Sequence, residues 1–381
     1  MPLELSRRGL LRSAGGLAGA SVATLAFART EGPAAASNDL SSLARLGPAK
    51  GVADLSRNEN PYGPAPSALR MVEYAGKRGA YYPTDAEDHL GAMIAEKHNV
   101  APEQVVVTSG SSEALCALSI ALGRNGPVVA PRLFFDYSVV YGEGLGLASL
   151  QRVAMKGDLA TDLGALEARV SDATGFVQLC NPNNPTGELI PGATLKPAVR
   201  RMAARTTVVV DEAYMELADD PVGNSCVDLV REGLNVIVTR TFSKIYGMAG
   251  LRVGYAIAAP EMAAKIRQAR MTWISGTGLA AAIGSYNDER FLAMSLSKIV
   301  EGREMVKDAI ASLGLEALPT STNFVYFKTG RQADEVRADF AARNIVVRGA
   351  YMDYTDYTRV SMGRLEDIEK FTKALPMVVG A

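Results

Sequence analysis

The sequence has few of the residues that metal, redox and nucleic-acid sites require. Its 381 residues include three cysteines (Cys116, Cys180 and Cys226) and two histidines (His89 and His98). No two cysteines have the spacing of a metal or redox motif, so we predict no metal ion. The formal net charge is −1, with 40 basic against 41 acidic residues. No basic stripe is present, so nucleic-acid binding has no electrostatic support.

The length exceeds what a single core usually accommodates, so we expect two domains. The composition, 48% apolar and 21% charged, is typical of a globular protein.

The first 28 residues predict a targeting segment. Arg7 and Arg8 form a twin arginine, an apolar run follows from Ser13 to Phe27, and Ala26-Phe27-Ala28 offers a cleavage site. The run is too short and too rich in Gly and Ala for a membrane span, so we expect none in the mature form. We predict a removable twin-arginine export signal (1–28) and a periplasmic or secreted protein. An irregular N-terminal helix or anchor on a cytoplasmic protein is the alternative.

Beyond residue 100 the sequence alternates apolar, β-branched runs with helical stretches, which predicts an α/β fold with a mostly parallel sheet. The predicted strands are 105–108, 127–131, 175–179, 207–211, 235–241 and 253–258. After residue 285 a long helix (288–313) precedes strands at 324–328, 345–348 and 358–363, which predicts a smaller α+β domain. We therefore expect an N-terminal arm (29–75), a large domain (76–284) and a small C-terminal domain (285–381).

Two polar motifs follow predicted strands, and the first of them suits the binding of an anion. Gly110-Ser111-Ser112 opens a helix, where free N–H groups, the helix dipole and hydroxyls attract a phosphate. A serine there is by itself more often a simple cap. The second motif, NPNNPTGELI (181–190), contains two Asn-Pro steps and is unusual even for a turn.

An acid and an amine follow the next two strands. Asp211 ends an apolar strand, and a buried carboxylate needs a partner such as a protonated pyridine nitrogen. An ordinary helix cap is the alternative, and Tyr214 can turn to the same side. Lys244 lies in an otherwise uncharged loop, where desolvation and nearby positive charge would lower its pKa and free its amine to attack an aldehyde. Arg252, returned by a glycine-rich loop, can offer two donors to a phosphate.

Together these motifs resemble those of the fold-type I pyridoxal 5'-phosphate (PLP) enzymes, the class I/II aminotransferases, and most closely the histidinol-phosphate aminotransferase family. The resemblance extends from about Leu55 to the C-terminus. It depends on NENPYGP, YYP, GSSEAL, NPNNPTG, DEAY, SK and GLRVGY, in that order and at matching spacings. It implies an aminotransferase with a PLP-binding large domain and a smaller C-terminal domain.

The resemblance also implies roles for individual residues. Lys244 binds PLP as an imine and then moves the proton, and Asp211 keeps the pyridine nitrogen protonated so that the ring acts as an electron sink. Asn184 and Tyr214 hydrogen-bond the ring hydroxyl oxygen. The implied phosphate ligands are Ser111, Ser112, Thr241, Ser243 and Arg252. An aromatic residue, Phe134 or Tyr137, stacks on the ring; the extra residue in PRLFFDYSVVY leaves the choice open.

The implied substrate-binding residues are Tyr62, Tyr82, Arg348 and Arg359. Tyr82 would come from the neighbouring subunit, which implies a homodimer, and Arg359 would hold an anionic group, with a surface arginine as the alternative. The partners are then a phosphorylated or carboxylated amine and a 2-oxo acid. The sequence departs from the family pattern at Ser112, where Asp is common, and between the two arginines, where Asp353 and Asp356 add negative charge.

Two other functions compete with transamination. A PLP-dependent decarboxylase or lyase of the threonine-phosphate decarboxylase type is the first, because substrate orientation against the ring decides which bond breaks. A regulatory PLP-fold module is the second, but no DNA-binding domain is visible and Lys244, Asp211 and Arg252 are all retained. An exported enzyme is also expected to serve an amine other than that of cytoplasmic histidine synthesis.

Overall fold

A seven-stranded sheet formed by residues 105–257 organises the fold, which the computed structural model describes for residues 46–380. Numbered along the chain, the strands are β1 (Ala53–Asp54), β2 (Val105–Thr108), β3 (Val128–Pro131), β4 (Leu150–Val153), β5 (Phe176–Cys180), β6 (Thr207–Asp211), β7 (Val236–Thr241), β8 (Gly254–Ile257), β9 (Phe324–Lys328), β10 (Ile345–Val346) and β11 (Tyr357–Ser361). The helices are α1 (Pro66–Gly76), α2 (Ala86–His98), α3 (Ser111–Leu122), α4 (Tyr137–Gly144), α5 (Leu163–Arg169), α6 (Gly192–Ala203), α7 (Val227–Arg231), α8 (Pro260–Ala269), α9 (Gly276–Ser285), α10 (Glu289–Ser312), α11 (Ala333–Ala341) and α12 (Leu365–Val379).

The strand order in this sheet is β2-β8-β7-β6-β5-β3-β4. Strands β3 to β7 pair in parallel, and β8 runs antiparallel to both β2 and β7. The predicted α/β class with a mostly parallel sheet is therefore confirmed. The sequence missed β4, whose residues Leu150–Val153 mix polar and apolar side chains and are partly exposed at the sheet edge.

Helices cover both faces of the sheet because its strands are apolar on both sides. Along β6, Val208 and Val210 face one buried cluster and Val209 faces the other. This alternation follows from the two-residue period of a strand, and strands buried on both faces are the usual result of crossover helices. The strands therefore form a rigid floor, and polar residues concentrate where they end.

The C-terminal part has a separate, smaller set of strands. Strands β9 and β11 pair antiparallel, and β1 from the arm pairs in parallel with β10. The predicted strand at 345–348 is shorter in the structure, because β10 ends at Val346 and Arg348 forms only an isolated bridge with Arg359. The arm is thus joined through backbone hydrogen bonds to the C-terminal residues.

The predicted boundary near residue 285 falls between α9 and α10 and stays a prediction. The predicted signal segment (1–28) and the beginning of the predicted arm lie outside the described residues. Among residues 46–380, no helix is long and apolar enough to cross a membrane.

Candidate active site

A cavity of about 690 Å³ lies at the carboxyl ends of the parallel strands, where such sheets usually bind ligands. The predicted site residues that line it are Ser111, Ser112, Phe134, Tyr137, Asn184, Asp211, Tyr214, Thr241, Ser243, Lys244, Arg252, Arg348 and Arg359. These residues come from six separate stretches of the sequence. Tyr62 and Tyr82 do not line the cavity.

Asp211 supplies a buried acid. It is the last residue of β6 and is 2% exposed, and its Oδ1 accepts a hydrogen bond of 2.8 Å from Thr239 Oγ1 on β7. Burial raises the pKa of Asp211 to about 6, although the Thr239 hydroxyl and the nearby Lys244 lower it. A carboxylate that is costly to ionise in isolation is suited to a cationic partner within the cavity.

Lys244 supplies an amine in the same cavity. It follows β7, and its Nζ donates to the backbone oxygen of Asn58 at 3.2 Å. Desolvation and the nearby Arg359 guanidinium lower the pKa of Lys244 to about 8, although Asp211 raises it. Near neutral pH a fraction of this amine is therefore unprotonated and able to attack a carbonyl carbon.

Hydroxyl and guanidinium donors meet at the beginning of α3. Thr241 Oγ1 donates to Ser243 Oγ at 2.8 Å, and Arg252 Nη1 donates to the same oxygen at 3.3 Å. Gly110 precedes α3 with φ +77°, and a Cβ there would lie 2.2 Å from Arg252 Nη2, so only glycine lets the guanidinium approach. The N–H groups of the first helical turn have no intrahelical partners. This set of donors suits a phosphate.

Asn184 and Tyr214 lie between these donors and the C-terminal strands. Asn181 exchanges hydrogen bonds with the backbone of Ile190 and closes the turn, whereas Asn184 lines the cavity and its Oδ1 accepts from Arg359 Nη1 at 2.5 Å. The Tyr214 hydroxyl accepts from Asn58 Nδ2 at 3.0 Å. Burial raises the pKa of Tyr214 well above its usual value, so its hydroxyl keeps the proton and stays a donor.

Four arginines besides Arg252 line the cavity: Arg57, Arg132, Arg348 and Arg359. Arg132 Nη2 donates to Asp353 Oδ1 at 2.8 Å, so the extra acid at 353 neutralises this arginine. Within residues 46–380, Arg57, Arg348 and Arg359 form no salt bridge. The Tyr351 ring lies 5.2 Å from the Arg348 guanidinium and 5.4 Å from that of Arg359. The remaining charge is positive and favours an anionic ligand.

Both aromatic candidates line the cavity, and so does Phe135. Phe134 is buried, with its ring 5.7 Å from the Arg152 guanidinium, whereas Tyr137 is 61% exposed. The choice of ring-stacking residue stays a prediction.

Tyr62 and Tyr82 lie elsewhere. The Tyr62 hydroxyl accepts a hydrogen bond of 3.1 Å from the Leu365 backbone at the beginning of α12. Tyr82 is 76% exposed and its ring lies 5.4 Å from that of Trp273, itself 58% exposed. Their predicted substrate contacts stay predictions, and for Tyr82 the prediction already placed the contact in a neighbouring subunit.

Sequence reasoning missed two features of the site. Asn58, in the arm, contacts both Tyr214 and Lys244. The sequence indicated a role for it only through its place in the NENPYGP motif. A buried ion pair joins Glu212, next to Asp211, to Arg240, next to Thr241, with Arg240 Nη2 to Glu212 Oε2 at 2.7 Å. The charge pattern of a single sequence does not show that two residues 28 apart face each other.

The residues present fit the cofactor that the sequence predicts. A cradle for a phosphate is formed by the serine and threonine hydroxyls and by Arg252, in the space that Gly110 leaves open because it has no Cβ. Asp211 lies buried without a cationic side chain bonded to it, as a partner for a protonated ring nitrogen requires. Lys244 offers an amine whose pKa is already lowered.

Comparisons with known proteins agree with this fit. The family described as aminotransferase class I and II matches residues 50–375. The chain is 32% identical over 335 residues to a histidinol-phosphate aminotransferase of Brevibacillus brevis, which covers 86% of this chain and 90% of that protein. It is 33% identical over 356 residues to an aromatic amino acid aminotransferase of Nocardia farcinica, covering 90% of this chain and 97% of that protein.

A solved structure is similar in fold as well. The histidinol-phosphate aminotransferase of Sinorhizobium meliloti, in complex with pyridoxal 5'-phosphate, superimposes with a TM-score of 0.79 and 28% identity. The likeness covers 86% of this chain and 91% of that one.

Proposed function

The chain belongs to the class I and II aminotransferases, and on that premise we propose that it moves an amino group from a phosphorylated or carboxylated amine to a 2-oxo acid. It is a PLP-dependent enzyme. The observation that carries the proposal is the convergence of Lys244, Asp211 and the donors near Arg252 on one cavity that also contains unpaired arginines.

When bound, PLP supplies an aldehyde that condenses with amines and a ring that accepts negative charge from the substrate carbon. Asp211, at the end of β6, would hold the proton on the ring nitrogen by charge pairing. Asn184 and Tyr214 would hold the ring oxygen, and Ser243, Arg252 and the beginning of α3 would bind the phosphate. Lys244 Nζ would hold the cofactor aldehyde and would carry the proton that leaves the substrate Cα.

Arginines select the substrate. Arg359 is 5% exposed, and its Nη1 and Nη2 donate to Asn184 Oδ1 and to the Ser56 oxygen, so its plane is fixed for a carboxylate. Arg348 and Arg57 are exposed, line the same cavity and are free of acidic partners in the described part of the chain. They suit a second anionic group on the donor. The relatives named histidinol-phosphate aminotransferase support a phosphorylated donor.

A donor panel tests the proposal. The absorption band of lysine-bound PLP is recorded before and after adding histidinol phosphate, aromatic amino acids, glutamate, aspartate or O-phosphothreonine, with Lys244→Ala as the control. We expect anionic donors to convert the cofactor to its amine form and a 2-oxo acid to restore the band. Release of CO₂ without this conversion would instead identify the decarboxylase. The absence of a lysine-dependent band would refute the proposal.

We also propose that the enzyme is a homodimer in which Tyr82 reaches the partner's cavity. Tyr81, Tyr82, Met271 and Trp273 are each more than half exposed, which is costly for side chains of this size unless another surface covers them. The test mixes Lys244→Ala subunits with Tyr82→Ala subunits. If Tyr82 acts across the interface, mixed dimers keep one intact site, so about a quarter of wild-type activity returns. If it acts within its own subunit, the mixture stays as inactive as its parents.

Finally, we propose that residues 1–28 direct export through the twin-arginine route. The support is the Arg7-Arg8 pair and the Ala26-Phe27-Ala28 site. Fractionation of cells, with sequencing of the mature N-terminus, tests the proposal against Arg7→Lys/Arg8→Lys. An uncleaved enzyme found in the cytosol would refute it.

A further inference from the structure

Asn58, in the arm, hydrogen-bonds both to Lys244, in the loop after β7, and to Ser361, on the C-terminal strand β11. It is 2% exposed, lines the cavity, and has a left-handed backbone with φ +56°. Its backbone oxygen accepts hydrogen bonds from Lys244 Nζ at 3.2 Å and from Asn323 Nδ2 at 3.0 Å. Asparagine adopts this backbone conformation more readily than most residues. Asn58 thus contacts the Lys244 amine through its backbone oxygen, and its side-chain amide is left to bond to other residues.

The side chain is held from one side by Ser361. The Asn58 N–H donates to Ser361 Oγ at 2.9 Å, and Ser361 Oγ donates to Asn58 Oδ1 at 2.6 Å. The reciprocal pair uses the serine proton and directs the amide oxygen toward β11. The amide nitrogen is therefore left to face Tyr214, and Nδ2 donates to the Tyr214 hydroxyl oxygen at 3.0 Å.

This arrangement sets the direction of the tyrosine proton. A hydroxyl that accepts from Asn58 cannot also direct its hydrogen at the same nitrogen, so the hydrogen must turn elsewhere. Tyr214 lines the cavity, and its buried hydroxyl keeps its proton. We propose that Asn58 is a positioning residue that directs the Tyr214 O–H into the cavity, toward the ring oxygen of the cofactor.

The inference depends on the proposed function, because it requires PLP in this cavity. It predicts that the amide sets the charge on the ring oxygen through Tyr214. Other charged or titratable groups close to that hydroxyl are Arg359, Asp211 and Cys180, and Lys244 Nζ lies 5.4 Å from the tyrosine ring. A test must therefore change the amide and leave these groups in place.

Asn58→Asp makes that change. Aspartate has the same shape and tolerates a left-handed backbone, but it offers an oxygen where the amide offers N–H. The Tyr214 proton then turns to the new carboxylate and leaves the ring oxygen. Asn58→Gly removes the side chain without straining the backbone. Asn344→Asp is the matched control, because Asn344 has φ +57° and is exposed away from the cavity.

The measurement is the pH titration of the absorption band of lysine-bound PLP in the holoenzyme. A ring oxygen that loses a donor holds the neighbouring imine proton more tightly, so the titration midpoint rises. We expect a rise of about one pH unit for Asn58→Asp, a smaller rise for Asn58→Gly and none for Asn344→Asp. The rise for Asn58→Gly should disappear in a Tyr214→Phe background, because the amide acts through that hydroxyl, whereas Asn58→Asp keeps the part of its rise that the charge of the new carboxylate causes directly.

The outcomes separate this inference from the proposed function. Wild-type protein without a titrating, lysine-dependent band refutes the proposed function. A normal wild-type band with an unshifted Asn58→Asp midpoint overturns the inference, and so does a shift of Asn58→Gly that persists unchanged in Tyr214→Phe. If Asn58→Asp does not fold, Asn58→Gly with and without Tyr214→Phe decides the same question.

Discussion

Replacing Asp211 with asparagine should stabilise the apoenzyme while it disables the holoenzyme. In the apoenzyme Asp211 is 2% exposed, and burial raises its pKa from 3.8 to about 6. A rise of this size costs the folded state about 3 kcal/mol at neutral pH. The new amide NH₂ faces the Cys180 thiol, which lies 4.0 Å from Asp211 Oδ2 and offers a weak acceptor, so part of the gain is lost. We expect a net gain of about 1–3 kcal/mol in the free energy of unfolding.

The pH dependence gives this prediction its sign. A carboxyl whose folded pKa is raised binds more protons when folded, so its cost is absent below about pH 4, grows between pH 4 and 6, and is complete above pH 6. Urea denaturation of cofactor-free protein at several pH values measures it. Asp172→Asn is the matched control, since Asp172 has a side chain 90% exposed and its ion pair with Arg205 contributes little.

In the holoenzyme the same substitution removes the partner of the ring nitrogen, and kcat/KM should fall by about 100-fold or more. Two results would refute the reasoning. An apoenzyme variant less stable than wild type at pH 7 would show that the ionised carboxylate carries no net cost. A stability difference of equal size at pH 4 and pH 7 would show that its source is not ionisation.

Three further substitutions test other parts of the site. Glu212→Gln removes the nearer of the two acids that pair with the buried Arg240 guanidinium and leaves Glu216 at 3.3 Å, so the free energy of unfolding should fall by about 3 kcal/mol in urea denaturation. A loss below about 1 kcal/mol would contradict a stabilising role for the Glu212 ion pair. Gly110→Ala puts a Cβ 2.2 Å from Arg252 Nη2 and should weaken PLP binding by about tenfold or more in a fluorescence titration; unchanged affinity would exclude this cradle. Arg359→Lys keeps the positive charge but loses the paired N–H donors of the guanidinium, so KM for the 2-oxo acid should rise by about tenfold in steady-state kinetics. An unchanged KM would show that the substrate carboxylate binds elsewhere.

The cofactor side of the cavity was accessible to sequence reasoning because it follows strand ends. Parallel strands bring their carboxyl ends to one edge, so Asp211 and Lys244, which follow two such strands 33 positions apart in the sequence, come together at that edge. The polar residues after an apolar run are also easy to find. The edge strand β4 was missed for the opposite reason, since its exposed residues show no apolar run.

The substrate side was less accessible because it depends on contacts across the whole chain. Arg348 and Arg359 face each other through a backbone bridge, and Asp353 reaches Arg132 from 221 positions away. The resemblance indicated the two arginines, but neither spacing nor periodicity predicts that Asp353 would neutralise Arg132. The family pattern also gave no role to Asn58, whose partners come from three other parts of the sequence.

The arm therefore contributes a residue to the site, although none of its residues belongs to the seven-stranded sheet. Strands β6 and β7 position the acid and the amine, and the phosphate donors lie at the beginning of α3, after β2, and at Arg252, before β8, so cofactor binding is mainly a property of the sheet edge. Arg359 comes from β11, and Asn58 ties that strand, through Ser361, to Tyr214 and Lys244. Substitution of Asn58 should alter the pH titration of the bound cofactor more than the affinity for the cofactor. Substitution of Gly110 should alter the affinity more than the titration. That contrast separates a residue that aligns the two sides of the site from one that only holds the cofactor.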